Sequence, residues 1–193
     1  MVEMAPPQDA LAVLIPCYNC GRSVRAVVEG CRPHASLILT VNDGSSDDTA
    51  ACLEQCGSEI LGWPVNLGKG AALTAGFEYL LARPGWSVAA TLDSDGQHDP
   101  ADLPRLLERH HETGADLVIG RRNFDLPLGP AHRRWANKYS SWLIARLTGC
   151  RARDIQSGFR LFTRSALERL LPWISSSHFA LETEMVILAH KLG

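Results

Sequence analysis

Apolar residues in this chain fall in short unbroken runs separated by stretches of helical spacing, a pattern that predicts a sheet covered by helices. Leu11 to Pro16 (L-A-V-L-I-P) is a continuous apolar run, the mark of a strand buried on both faces rather than one. Val24, Val27, Val28 and Cys31 then recur at helical intervals. Ser36 to Val41 predicts a second buried strand, closed by a turn at Asn42-Asp43-Gly44-Ser45, with Ser46, Asp47 and Asp48 at a helix start. A short strand near Ile60 and Leu61 leads into Asn66-Leu67-Gly68-Lys69-Gly70 and a helix carrying Leu73, Phe77, Leu80 and Leu81. Ser87 to Leu92 predicts the next strand. Asp99 and Pro100 supply the N-cap and first residue of a helix through Leu103, Leu106 and Leu107, and Asp116 to Gly120 is a further strand. Beyond Gly120 come a polar loop with Pro127, Gly129 and Pro130, a helix over Arg133 to Leu147, an irregular piece D-I-Q-S-G-F-R, and a helix over Ser165 to Leu171.

Strands alternating with helices define an α/β fold with a mostly parallel sheet. Such sheets bind ligands at the carboxyl ends of their strands. Four polar loops are expected there: Pro16-Cys17-Tyr18-Asn19, Asn42 to Ser45, Asn66 to Gly70 and Asp93 to Asp99. A length of 193 residues suits one domain over the whole chain, with residues 1–10 expected to be flexible. The chain holds no apolar run of 18 residues, and its N-terminus lacks the basic and apolar regions of a secretory signal, so a cytoplasmic protein is expected. A net charge of −2 argues against nucleic acid as partner. The charge is uneven, however: from Arg121 to Arg164 ten Arg or Lys face two Asp and no Glu, a surface suited to anions or to a membrane. The six cysteines, at 17, 20, 31, 52, 56 and 150, are expected to be reduced, small buried hydrophobes, although Cys17-x2-Cys20 and Cys52-x3-Cys56 also have metal-like spacing.

The chemistry concentrates in A-T-L-D-S-D-G-Q-H-D-P, residues 90–100. On extended backbone Asp93 and Asp95 point the same way, and Gln97 extends the set. Carboxylate and amide oxygens are hard ligands suited to Mg²⁺ or Mn²⁺, leaving positions open for substrate phosphates. Asp99 is expected to serve only as a helix cap. Lys69, bracketed by glycines before a helix, is placed to receive phosphate; the stretch lacks the spacing of a Walker A loop.

I-P-C-Y-N, V-N-D-G-S-S-D-D-T, N-L-G-K-G-A-A, L-D-S-D-G-Q-H-D-P, V-I-G-R-R and Q-S-G-F-R follow one another in this order. Over residues 11 to 190 that succession resembles the family 2 glycosyltransferases of GT-A fold, most closely the dolichyl-phosphate mannose synthase-like and polyprenyl-phosphate sugar transferases. The resemblance implies a Rossmann-like sheet flanked by helices on both faces and an inverting transfer from a nucleoside-diphosphate sugar. It implies that Pro16, Tyr18 and Asn19 border the nucleotide, that Asp43 hydrogen-bonds the base, and that Asp93 and Ser94 lie at the ribose and diphosphate. Asp95 with Gln97 would bind Mg²⁺ or Mn²⁺, and Lys69 and Arg122 would neutralise phosphate, joined by Arg133 or Arg134 if the Pro127 loop closes. Asp93, Asp95 and Arg122 are thus the expected catalytic set, and Ser157-Gly158-Phe159-Arg160 would sit near the acceptor. Relatives carry two acids before the Gly-Ser turn, where this chain has Asn42 and then Asp43. Relatives also continue past the position of Gly193, so a cut piece and a compact version both fit.

The acceptor is the open question. A hydroxyl acceptor needs a general base, for which Asp154, Glu182 and Glu184 are the candidates; a lipid phosphate is already ionised and needs cations, for which Arg122, Arg133, Arg134, Arg151, Arg153 and Arg160 are available. Cations outnumber acids there, which favours a lipid-phosphate acceptor over a glycan hydroxyl. His98 is a candidate substrate contact. Trp135, Tyr139, Trp142 and Leu143 form a helical stripe that suits either a core or a peripheral membrane contact. A catalytically silent sugar-nucleotide-binding domain would show the same donor residues.

Overall fold

A computed structural model of the chain describes residues 10–120, 146, 157–175 and 180–192. Its strands are β1 (Leu11–Cys17), β2 (Leu37–Asp43), β3 (Glu59–Trp63), β4 (Val88–Thr91), β5 (Leu117–Ile119) and β6 (Arg160–Thr163). Its helices of more than one turn are α1 (Gly21–Cys31), α2 (Thr49–Cys56), α3 (Lys69–Leu81), α4 (Leu103–Thr113), α5 (Arg164–Leu170) and α6 (Ala180–Leu192). The strands form one sheet in the order β3-β2-β1-β4-β6-β5. β1, β2, β3 and β4 are parallel, and β6 lies antiparallel to both β4 and β5. The mostly parallel α/β sheet is therefore as expected, with one antiparallel strand inserted.

All seven residues of β1 are buried, which is why the run showed no alternation. Leu11, Val13 and Ile15 pack with Val24, Val28, Leu53 and Leu103 on one face, while Ala12 and Leu14 pack with Leu73, Phe77, Leu80, Leu167 and Met185 on the other. Helices α1, α2 and α4 thus cover one face and α3, α5 and α6 the other. Phe77 carries the second core: it is fully buried and meets Phe162 of β6 edge-on, with centroids 5.5 Å apart. Phe77→Ala is expected to lower the unfolding free energy by about 3–5 kcal/mol in urea denaturation, because the aromatic contact and its cavity are both lost.

Two sequence expectations need correction. Asn42 and Asp43 do not begin a turn; they finish β2, paired with Gly62 and Trp63 of β3. The irregular piece ends in a strand: Arg160-Leu161-Phe162-Thr163 inserts beside β4, with Leu161 in one core and Phe162 in the other. The helix expected over Arg133 to Leu147 lies outside the described residues except for Arg146, which is helical; its Trp135, Tyr139, Trp142 and Leu143 stripe lies outside them, as do Arg122, Arg133, Arg134, Arg151, Arg153, Asp154 and Cys150. Among the described residues no helix is long and apolar enough to cross a membrane.

Candidate active site at the carboxyl ends of β1, β2 and β4

β1 pairs with β2 on one side and β4 on the other, so the sheet order reverses there and a crevice opens between the loops that follow β1 and β4. Leu92 N still donates to Leu14 O at 3.1 Å, which delivers Asp93 at the mouth of that crevice. Lys69, the first residue of α3, lies between two carboxylates: its Nζ is 2.6 Å from Asp93 Oδ1 and 2.7 Å from Glu182 Oε1. The structure therefore brings together an expected phosphate ligand, an expected catalytic acid and an expected base from three separate elements.

Asp43 builds this arrangement from below. Only 2% exposed, it accepts from the Trp63 indole at 2.7 Å, from Leu67 N at 2.8 Å and from Gly68 N at 2.9 Å. These bonds fix the turn that launches Lys69. Gly44 (φ +67°) has to be glycine, since a Cβ would lie 2.3 Å from the Val65 carbonyl carbon. Asp43 thus spends three of its roughly four acceptor positions on its own chain, two at Oδ1 and one at Oδ2.

The other loops are tied in the same way. Asn19 sits at φ +51°, a conformation Asn tolerates, and its Oδ1 accepts from Ser46 N at 2.8 Å, locking the β1 loop to the β2 loop. Pro16 is buried inside β1 opposite Val41, whereas Tyr18 is 51% exposed and stands free for a planar ligand. Ser94 gives its carbonyl to Ser23 Oγ at 2.6 Å and binds the β4 loop to α1.

Asp95 and Gln97 are exposed, and Asp95 Oδ1 accepts from Gln97 N at 2.9 Å, which holds the turn open to solvent. Among the described residues there is no group of three or more His, Cys, Asp and Glu able to cage a metal. An exposed hard-oxygen pair fits a divalent ion that takes one or two protein ligands and completes its shell with water and phosphate. Asp99 is the helix cap it was expected to be, accepting from Ala101 N at 2.9 Å.

Ser157-Gly158-Phe159-Arg160 runs past Asp93, but mostly as scaffold. Arg160, expected as an acceptor cation, is 1% exposed; its Nε donates to Ser157 O at 2.8 Å and its Nη1 to Glu182 O at 2.5 Å. It therefore positions the first turn of α6, and with it Glu182. Ser157 is fully buried, its Oγ 3.4 Å from His98 Nε2, and His98, 8% exposed, stacks on Phe159. Gly158 does meet the site: a Cβ there would lie 2.2 Å from Asp93 Oδ2. Glu184 is turned away, accepting from Ser175 N at 3.1 Å and Ser175 Oγ at 2.7 Å, so it is not among the grouped acids.

Burial pushes the Lys69 ammonium towards neutrality, but Asp93 and Glu182 outweigh that effect and hold its pKa above the ordinary value. A raised pKa of this kind stabilises the fold fully below the ordinary lysine value of 10.5, and the contribution is lost as pH rises through the folded value. Lys69→Met leaves two acids facing each other and is expected to cost about 2 kcal/mol near pH 7, less than a fully buried pair because the lysine keeps some solvent. Chemical denaturation should show the gap to wild type narrowing above pH 10.5, and Glu182→Gln in the same chain should restore part of the loss.

The model of the glycosyl transferase family 2 matches residues 12–171. Polyprenol monophosphomannose synthase of Mycolicibacterium smegmatis is 33% identical, covering 97% of this chain and 74% of the relative. Undecaprenyl-phosphate mannosyltransferase of Micrococcus luteus is 32% identical over 93% of this chain and 77% of its own length. Glycosyltransferase AglJ of Haloferax volcanii is 31% identical over 97% of this chain, which spans 61% of that relative. In fold, the chain is similar to glucosyl-3-phosphoglycerate synthase of Mycobacterium tuberculosis, solved with Mn²⁺, UDP and glucosyl-3-phosphoglycerate, with a TM-score of 0.68 at 21% identity over 91% of this chain and 63% of that one.

Proposed function

The chain belongs to glycosyl transferase family 2, and from that premise we propose that it is an inverting, metal-dependent enzyme that moves a sugar from a UDP- or GDP-sugar to the phosphate of a polyprenyl-type lipid. The observation that carries this reading is the Lys69–Asp93 ion pair at the crevice where the sheet order reverses, on the loop that also carries the exposed Asp95. Tyr18 offers a ring for the base. Asp95 and Gln97 would hold the divalent ion, which when bound neutralises charge gathering on the departing nucleoside diphosphate. Lys69 adds a cation at the entrance of α3, where backbone N–H groups also favour phosphate. The sugar carbon becomes oxocarbenium-like, and the acceptor approaches from the face opposite the diphosphate, inverting the centre.

Two carboxylates support the phosphate acceptor over a hydroxyl one. Glu182 is neutralised by Lys69 and Glu184 is held by Ser175, so neither stands ready to take a proton from an alcohol. A phosphate monoester is already ionised near pH 7 and asks for no such base. The relatives named for polyprenol and undecaprenyl phosphate support the same choice. A lipid acceptor brings the enzyme to a membrane surface, where the basic residues from Arg121 to Arg153 would meet anionic headgroups.

Calorimetric titration of UDP and of GDP, each with and without Mn²⁺, tests the donor half. One nucleotide should bind, and only with the ion. Incubation of the matching nucleotide-sugars with a polyprenyl phosphate and with the free polyprenol tests the acceptor half, and product should form on the phosphate alone. Failure of both nucleotides to bind in the presence of Mn²⁺ would overturn the assignment.

A further inference from the structure

The two carboxylates that share Lys69 are not equivalent. Asp93 follows β4 at the mouth of the crevice, and its side chain is 26% exposed. The Glu182 side chain is 9% exposed and belongs to the first turn of α6, where the helix dipole favours a negative charge. Arg160, itself buried, donates to both the Ser157 and the Glu182 carbonyl, so the backbone that carries this acid is braced. The Lys69 ammonium has three N–H donors, of which one faces Asp93 and one faces Glu182. Its four-carbon stem is flexible, and the two acids fix where the charge sits. By charge alone this arrangement works against an anion. One cation between two acids leaves the crevice negative, and Asp95 stands two positions on from Asp93. A diphosphate arriving at Lys69 therefore has to take a donor that a carboxylate already holds.

We propose that Glu182 is a positioning residue for the donor: it keeps hold of Lys69 while the diphosphate takes the N–H that faces Asp93, and Asp93 is thereby released to the hydroxyl groups of the donor. This exchange rests on the function proposed above. The more exposed, loop-borne acid is the one that can turn, and the buried, helix-borne acid is the one that stays. A phosphate oxygen replaces a carboxylate oxygen on the same ammonium, so the number of charge-assisted hydrogen bonds at Lys69 is kept. Glutamine at position 182 would keep the shape and one acceptor but remove the charge. The ammonium would then settle on Asp93 undivided. To bind, the diphosphate would have to break that pair and also order a flexible side chain that only a weaker, neutral hydrogen bond still holds.

The test is calorimetric titration of the full chain with UDP and with GDP at saturating Mn²⁺, in wild type, Glu182→Gln, Lys69→Met and the double variant. Neutralising an acid beside a diphosphate should tighten binding if charge alone matters. The reverse is expected here: Glu182→Gln should bind the nucleotide about tenfold more weakly, the size of a charge-assisted hydrogen bond reduced to a neutral one. With Met at position 69 the same change has no ammonium to act through, and Glu182→Gln should leave affinity unchanged or raise it. Dependence of one substitution on the other marks an acid that works through the lysine, which a purely structural role for Glu182 would not produce. Equal or tighter binding in Glu182→Gln, or the same loss in both backgrounds, would overturn the proposal, and the first comparison decides it even if Lys69→Met fails to fold. Wild-type protein that binds neither nucleotide with Mn²⁺ would overturn the transferase reading and the proposal together, whereas wild-type binding without a loss in Glu182→Gln would overturn the proposal alone.

Discussion

An Asp95→Asn protein is expected to unfold at the wild-type temperature and to transfer sugar at least about a thousandfold more slowly, a barrier increase of about 4 kcal/mol. The two halves of that result come from different physics. Asp95 is exposed, and its hydrogen bond in the structure, from Gln97 N, is one that an asparagine oxygen can also accept, so the fold should notice a change of only a few tenths of a kcal/mol. A neutral amide, however, is a poor ligand for a hard divalent ion, and the other carboxylates of this loop are engaged, Asp93 by Lys69 and Asp99 as a helix cap. Lys69 cannot compensate, because its charge is already divided between Asp93 and Glu182. Melting curves and steady-state rates across a Mn²⁺ titration check both halves. A rate within tenfold of wild type at saturating Mn²⁺ would move the ion from Asp95 to Asp93.

What the chain discloses before folding follows from how local each signal is. The buried strands β1 and β4, the cap at Asp99 and the order of polar loops are written in consecutive residues, and each stands where burial and turn chemistry put it. β6 was invisible for the opposite reason. Three of its four residues are buried, they show no alternation, and they acquire strand geometry only by pairing Arg160 with Thr91 across a long separation. The same holds within the site. Asp43, Asn19 and Arg160 are polar residues in motif positions, yet the structure spends their hydrogen bonds on holding loops and a helix end in place. Lys69 and Glu182 are 113 positions apart, and no local pattern announces that they meet. Sequence could name the loops that converge; which side chain faces the crevice and which braces its wall is decided by packing between elements.

Gly158→Ala separates a wall from a reacting group. An added Cβ would lie 2.2 Å from Asp93 Oδ2 and 2.5 Å from its Cγ, closer than atoms tolerate, so one side must move. The backbone at Gly158 is held by Thr91 Oγ1, which donates to its carbonyl at 2.7 Å, and the next residues enter β6; the strand will resist. The Asp93 carboxylate, partly exposed and on a rotatable bond, will yield, and in turning away it leaves Lys69 paired with Glu182 alone. Losing one partner of a partly solvated ion pair costs about 1 kcal/mol in stability. Losing the position of a catalytic carboxylate by an ångström or more costs about a hundredfold or more in rate. The expected result is therefore a variant that melts only a few degrees early and is nearly inactive, with Mn²⁺-dependent nucleotide binding reduced less than turnover. A double variant with Asp93→Gly should be no more stable than Gly158→Ala, since Lys69 lacks the same partner in both, and should recover none of the activity. Destabilisation by several kcal/mol with turnover proportional to the folded fraction would mean instead that the strand moves and that Gly158 serves the fold alone.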